Sequence, residues 1–309
     1  MRVHIPCGFC GSEQYHPHIT LTDRLGLVTD EQFHVVSCAE CTLLRLNPRP
    51  TVDELGAFYP DDYAPFEQPI QSDHSPLRRW MRRRFQQKRV RAVRTFQPEA
   101  GRALDVGCAT GLFLEALRSE GWQVQGVELN ERAATFAREQ LKLDVFCGTL
   151  EDAPLVKGSF DVITLWHVLE HLPEPAAALS RLYDLLAPGG TLVLTVPNAA
   201  GWDARLWGPW WAGWDAPRHL YHFTPHTLEH LLNAVGFGQI RLSSFTDRHG
   251  VWVLSAAHWA QAAPTHRLRA LWSRVLGTLP AQVLSYPYFT VAERFNSSSA
   301  MTFFAQKGE

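Results

Sequence analysis

The sequence predicts an α/β protein built on a doubly wound parallel sheet, with a small metal-stapled module in front of it. Three observations carry that expectation. Short apolar runs alternate with helical segments from Arg102 to Val196, the pattern of parallel strands joined by crossover helices. A turn of small residues, Gly107-Cys108-Ala109-Thr110-Gly111, follows the first of those runs. Two Cys-x-x-Cys pairs, Cys7 with Cys10 and Cys38 with Cys41, lie ahead of both. At roughly 150 residues per domain, a chain of 309 residues is expected to form about two domains.

Residues 1–60 are rich in turn formers and short β-like runs such as Phe33-His34-Val35-Val36. The two cysteine knuckles are separated by 27 residues, and each can bring two thiolates to one tetrahedral ion, so Cys7, Cys10, Cys38 and Cys41 are expected to hold zinc. Four thiolates close the coordination sphere. The ion's role is then structural, folding a module too small to hold its own core. Residues 61–98 are read as a linker and a helix: a short helix near 52–58 and a stretch with Pro60, Pro65 and Pro69 lead into an amphipathic helix from Pro76 to Phe96. There Leu77, Trp80, Met81, Phe85, Val90, Val93 and Phe96 recur at helical spacing among basic residues.

Residues 99–309 form the third unit. Strands are expected at 103–106, 124–127, 145–146, 160–166 and 191–196, with helices between most of them. Thr224 makes an N-cap with Pro225 at the first helical position, starting a helix that runs to Val235 and stops at Gly236. A helical insertion is expected near 259–295, where Leu268, Leu271, Trp272, Val275, Leu276 and Leu279 recur, and Met301 to Gln306 reads as a last strand.

The charge balance, 29 basic against 31 acidic residues, argues against nonspecific nucleic-acid binding by the molecule as a whole. It conceals one excess: from Arg78 to Arg94 there are nine basic residues and no acidic one. Six cysteines are too few for a disulfide-stapled secreted scaffold, and the N-terminus has no apolar run resembling a signal peptide, so a cytoplasmic location is expected. No stretch approaches the roughly 18 apolar residues of a membrane span, which leaves peripheral contact as the only expected relation to a bilayer. Of 11 Trp, five fall between Trp202 and Trp214.

A dinucleotide fingerprint needs glycine at 107, 109 and 112, whereas the chain has Gly107, Ala109 and Leu112, which disfavours a dehydrogenase. Asp105 stands two residues before Gly107, small residues fill the turn to Gly111, and Glu128 ends the next strand, where a carboxylate can accept both hydroxyls of a ribose. With Gly158-Ser159-Phe160-Asp161-Val162-Ile163, Leu169-Glu170-His171-Leu172 and Leu186-Ala187-Pro188-Gly189-Gly190, these residues resemble the class I S-adenosylmethionine-dependent methyltransferases. The first motif of that family reads roughly Asp/Glu-x-Gly-x-Gly-x-Gly, and here Ala109 takes the middle position. The resemblance spans about residues 100–245. It implies a Rossmann-like seven-stranded sheet with S-adenosylmethionine as cofactor. Asp105, Gly107, Ala109 and Gly111 would form the first binding loop, with Gly107 and Gly111 facing the methionine end. Glu128 and Leu129 would sit at the ribose, and the Leu150 backbone with Glu151 at the adenine. Thr149 stands where the family often carries Asp.

Methyl transfer from a sulfonium is an in-line displacement, so the protein mainly positions the acceptor and removes its proton. The fourth strand ends in Trp166-His167-Val168-Leu169-Glu170-His171 and lacks the Asn/Asp-Pro-Pro-Tyr motif of amino-directed methyltransferases, which disfavours methylation of a base or amide nitrogen. His167, Glu170 and His171 fall at helical spacing. They are similar to the Glu-x-x-Glu-His run of some quinone-biosynthesis O-methyltransferases, which resembles a divalent-metal site; local hydrogen bonding is the alternative role for Glu170 and His171. His167 follows the strand end directly and is the better functional candidate of the three. The second constellation, Asp215-Ala-Pro-Arg218-His219-Leu220-Tyr221-His222-Phe223-Thr224, is similar, together with the four-cysteine module, to sugar C-methyltransferases of polysaccharide and natural-product pathways. That resemblance casts His219 as general base and Tyr221 and His222 as orienting residues. Arg218 stands where those enzymes commonly have Glu.

The expected function is S-adenosylmethionine-dependent methyl transfer to oxygen or carbon of a small acceptor, such as a nucleotide- or carrier-linked sugar or a lipid-linked glycan. An RNA methyltransferase and a non-catalytic cofactor-binding regulatory subunit are the alternatives. The Trp cluster is open between an acceptor platform and a core anchor. The basic helix is open between a solvated face and a clamp for pyrophosphate, RNA or an anionic membrane.

Overall fold

The computed structural model describes residues 2–24, 31–59, 76–244, 249–261, 271, 274–276 and 278–308. Its N-terminal part comprises β1 (Arg2–Val3), β2 (Tyr15–Thr22), β3 (Gln32–Cys38), β4 (Leu44–Leu46), β5 (Arg49–Pro50) and the short helix α1 (Val52–Leu55). Strands β2, β3 and β4 form an antiparallel meander. Along β3, Phe33 and Val35 are buried while His34 is exposed, the two-residue period of a strand with one face on a core.

The remainder runs α2 (Pro76–Phe96), β6 (Arg102–Val106), α3 (Leu112–Ser119), β7 (Gln123–Glu128), α4 (Glu131–Glu139), β8 (Asp144–Cys147), β9 (Phe160–Trp166), α5 (Pro175–Leu185), β10 (Leu186–Pro197), α6 (Trp202–Trp207), β11 (Tyr221–His222), α7 (Pro225–Val235), β12 (Gly238–Ser243), α8 (Gly250–Gln261), α9 (Leu279–Arg294) and β13 (Ala300–Gln306). Seven strands form one sheet in the order β12-β13-β10-β9-β6-β7-β8. β6 to β10 pair in parallel, and β13 is antiparallel to both of its neighbours. The parallel strands read as near-continuous apolar runs because helices cover both faces: Val162, Ile163, Leu165, Leu192, Val193 and Leu194 are all buried. Helix α7 has the expected cap, the Thr224 hydroxyl accepting from the Thr227 amide, and it ends at Gly236 with φ +111°.

Three readings are refined. Strand β12 escapes a hydrophobicity scan because Gly238, Gln239, Arg241 and Ser243 interrupt its apolar residues. The helical insertion begins at Gly250 rather than near 259, since Val251, Trp252 and Val253 already belong to α8. The proline stretch at 60–75, and Leu268 and Trp272 of the expected insertion, lie outside the described residues. The meander is not closed within the N-terminal part. It takes its fourth strand from far along the chain: β11 pairs antiparallel with β4, Tyr221 opposite Arg45 and His222 opposite Leu44.

Candidate active site

The turn after β6 is shaped for close approach by a ligand. Gly107 and Gly111 have φ of +70° and +78°, and Ala109, the residue in place of the middle glycine, also lies in the left-handed region at +47°. A Cβ on Gly107 would lie 2.4 Å from Val168, so only glycine fits. Gly111 caps α3 with no side-chain hydrogen bond, leaving first-turn amides of that helix for another acceptor. The Glu128 carboxylate accepts from the amides of Ala109 (2.7 Å) and Asn130 (2.8 Å), which fixes it at the end of β7 while lone pairs on both oxygens remain for ribose hydroxyls. Burial raises its pKa against the lowering effect of those amides. Asp105 is buried, 2.6 Å from the Thr164 hydroxyl on β9, and burial pushes its carboxyl up to about 7. Its place is beneath the turn rather than in the cleft. Leu129 is exposed beside Glu128. The Leu150 carbonyl accepts from Arg181, its side chain is buried, and Glu151 is exposed; the Thr149 hydroxyl pairs with Asp152.

The turn from His167 to Leu172 lies between this loop and the second constellation. Val168 touches Gly107, whereas the Glu170 carbonyl accepts from the Leu220 amide. His167 has φ +59°, strained for a non-glycine residue, and its Nδ1 is 3.3 Å from Glu170 Oε1. Glu170 is fully buried and its Oε2 has no hydrogen-bond partner. Burial opposes ionisation of Glu170, but His167 holds its pKa below the usual carboxylate range. The rings of His171 and His219 meet edge to face at 4.6 Å. Glu170, His171 and His219 each offer one ligand atom within 4.8 Å of the others, a set that could hold a divalent cation.

One hydrogen bond selects the tautomer of neutral His219. His219 Nδ1 lies 2.9 Å from the Gly213 carbonyl, which can only accept, so Nδ1 carries the proton and Nε2 the lone pair. His171 Nδ1 lies 3.1 Å from the Arg218 carbonyl and 2.9 Å from the Tyr59 hydroxyl. Burial and the neighbouring His219 bring the His171 pKa down to about 4, which keeps it neutral.

Tyr221 and His222 are placed differently from the orienting role expected of them. The Tyr221 hydroxyl donates to the Pro173 carbonyl (3.2 Å), accepts from Arg49 (3.4 Å) and closes over Gly8 of the first knuckle. His222 is buried against Trp214 with neither ring nitrogen hydrogen-bonded, and burial holds its pKa well below the ordinary value. Arg218, the departure from the sugar-methyltransferase pattern, is completely buried. It forks onto Asp215 at 2.7–3.1 Å, reaches Asp23 at 2.8 Å and donates to the Phe58 carbonyl at 3.0 Å. Burial opposes the ionised form of Asp215, yet His219 and Arg218 hold its pKa below the usual range. Asp23, Arg49 and Tyr59 escaped the sequence reading because none belongs to a motif.

Cys7, Cys10, Cys38 and Cys41 converge with their sulfurs within 4.8 Å of one another, the closest pairs at 3.4 and 3.5 Å. Four thiolates around a zinc ion at about 2.3 Å would stand about 3.8 Å apart, so the donor set fits. Burial raises the Cys7 and Cys41 thiols; for Cys38 burial is overcome by the amides of Cys41 and Glu40, which bring it down to about 7. Trp211 and Trp214 are buried and meet edge to face at 5.2 Å, so this part of the Trp cluster anchors the loop to the core.

The family described as "Methyltransferase domain" matches residues 77–242, more than half of the chain. The ubiquinone biosynthesis O-methyltransferase of Thiobacillus denitrificans is 38% identical over 117 residues, covering 36% of this chain and 50% of that protein. The protein of that name from Xanthomonas campestris is 39% identical over 113 residues, covering 35% and 47%. The chain thus spans about half the length of the curated relatives it matches. Among solved structures, a methyltransferase from Thermotoga maritima described as a possible histamine N-methyltransferase aligns with a TM-score of 0.50 at 20% identity, covering 74% of this chain and 93% of that one, a likeness of fold.

Proposed function

Since the chain belongs to the methyltransferase-domain family and is an S-adenosylmethionine-dependent methyltransferase, we propose that it methylates an oxygen of a small acceptor, with His219 as the base that takes the acceptor proton. The observation that carries this reading is the orientation of His219: its Nδ1 donates to the Gly213 carbonyl, which in the neutral imidazole leaves the lone pair on Nε2, 3.9 Å from Asp215 Oδ2, beside the turn that lines the cofactor loop. S-adenosylmethionine supplies an electrophilic methyl group. The residues at 107–111, Glu128, Leu129, Leu150 and Glu151 would hold it, the first-turn amides of α3 meeting its carboxylate. The names of the curated relatives favour oxygen over carbon as acceptor and a small molecule as substrate. Nothing in the pocket favours a sugar nucleotide or lipid-linked glycan over another hydroxyl compound, and these stay among the acceptors to be tried.

In this reading Arg218, Tyr221 and His222 position the acceptor loop rather than touch the acceptor. Zinc on Cys7, Cys10, Cys38 and Cys41 holds the meander to which the loop is paired. A second reading is favoured by the unpartnered, buried Oε2 of Glu170: Glu170, His171 and His219 together hold a divalent cation that would lower the pKa of the hydroxyl it binds.

The test is transfer of labelled methyl from S-adenosylmethionine to catechols, nucleotide sugars, lipid-linked glycans and RNA, by the wild type and by His219→Ala. A base contributes about 10²- to 10⁴-fold, so His219→Ala should lose at least about 10²-fold in turnover while binding S-adenosylmethionine normally. Full activity in that variant would remove His219 from the chemistry. Activity that rises strongly with added magnesium would favour the second reading, and labelling of RNA alone would replace the small acceptor.

A further inference from the structure

We infer that the rim of the molecule beyond the carboxyl edge of the sheet is a docking surface for an anionic phospholipid bilayer. The inference rests on where two segments lie and on their charge, and is independent of the acceptor chosen above.

The first segment is α2. Its C-terminal end is fixed at the amino edge of the sheet, where Gln97 donates to the Asp161 carbonyl at the start of β9. Arg89 stacks over Trp166, the last residue of β9, with its guanidinium 4.5 Å from the ring centre. The helix runs along the strand from Gln97 toward Arg89, whose side chain reaches the strand's carboxyl end, and Pro76 lies about 20 Å farther along the helix axis than Arg89, so the N-terminal turns of α2 extend past the carboxyl edge. On this overhang Trp80 is 53% exposed and Met81 is exposed beside Arg83 and Arg84.

The second segment is the helical insertion. Helix α9 descends into β13, which begins opposite Pro197 at the carboxyl end of β10, so α9 also stands on that edge. Asp203 fastens it there, accepting from Trp252 on α8, Tyr288 on α9 and Ser299. Leu254 on α8 and Leu284 on α9 point outward, Leu284 at 81% exposure, and Phe295 follows at 65%. Trp80, Met81, Leu254, Leu284 and Phe295 are thus large apolar side chains exposed on elements that stand at the carboxyl edge, as expected of an interaction surface.

The charge pattern selects the partner. Arg78–Arg94 holds nine basic residues and no acidic one; in the described part of the second segment Arg274 and Arg294 are exposed and Glu293 is the one acidic residue. Basic residues interleaved with Trp, Met, Leu and Phe fit the boundary between anionic headgroups and acyl chains. A nucleic acid would satisfy the arginines but leave Met81, Leu254 and Leu284 in water.

The experiment is sedimentation of the full chain with vesicles of phosphatidylcholine, with and without phosphatidylglycerol, across a range of salt. Binding is expected only with phosphatidylglycerol and should weaken as salt rises. Arg83→Gln with Arg84→Gln should lower partitioning about thirtyfold, and Trp80→Ser with Leu284→Ser about tenfold or more. S-adenosylmethionine binding, measured by calorimetry, should remain unchanged in both variants and thereby report that they fold. No binding to phosphatidylglycerol vesicles, or equal binding by the variants, overturns the proposal. So does a surface occupied by single-stranded RNA that vesicles fail to displace, or self-association abolished by Leu284→Ser.

Discussion

Arg218 shows how much of this site is decided by single side chains. Its guanidinium satisfies Asp23 from the N-terminal part and Asp215 from its own loop, with both it and Asp23 fully buried. Replacing it with Met leaves two carboxylates in the interior, a loss of about 3–5 kcal/mol, which urea denaturation would measure; a loss below about 1 kcal/mol would mean the fork is incidental. Asp105 is the second informative residue. Its folded carboxyl, raised by burial from 3.8 to about 7, keeps a proton that the unfolded chain has already released. Stability of the ligand-free protein should therefore fall as pH rises from about 4 through 7, and Asp105→Asn should flatten that part of the curve of melting temperature against pH. An unchanged slope would mean that Asp105 ionises freely. The strand-turn-helix that carries Asp105 and Gly107 was legible from sequence because its pattern is local. The partners of Arg218 were not, since Asp23 lies 195 residues away.

The element that joins the two halves is β11. It has only Tyr221 and His222, too short to be read as a strand from periodicity, and its partner β4 is equally unremarkable in sequence. Yet the pairing, continued by the Leu46 amide donating to the Leu220 carbonyl, makes the cysteine meander a support for the acceptor loop. Zinc bound at the four cysteines contributes its binding free energy to that sheet. The purified chain should carry one zinc per molecule, and Cys38→Ser should lose it and melt the meander, seen as lost strand signal and a separate early thermal transition, while the seven-stranded sheet persists. A metal-free wild type with an intact meander would contradict this. The parallel strands were legible because each is an apolar run bounded by turn residues. β12 was hidden by its polar positions.

At the scale of the whole molecule, the cofactor loop, the His167–Leu172 turn, the acceptor loop and the cysteine meander form one connected stack. Sequence patterns marked all four, but not their adjacency, which depends on contacts between residues far apart in the chain. The basic run and the Trp cluster, left open by composition, separate once placed: Trp211 and Trp214 go into the core, and α2 overhangs the edge of the sheet. The central claim is that the metal module holds the acceptor loop over the cofactor site. Its most direct test is amide hydrogen exchange on the full chain with S-adenosylmethionine bound, before and after zinc is removed by a chelator. Protection at Leu220 and Tyr221 should fall by about 10²-fold or more on zinc removal and return with zinc, while residues 102–106 of the central strand stay protected. Unchanged protection at Leu220 and Tyr221 in the zinc-free chain would contradict the account.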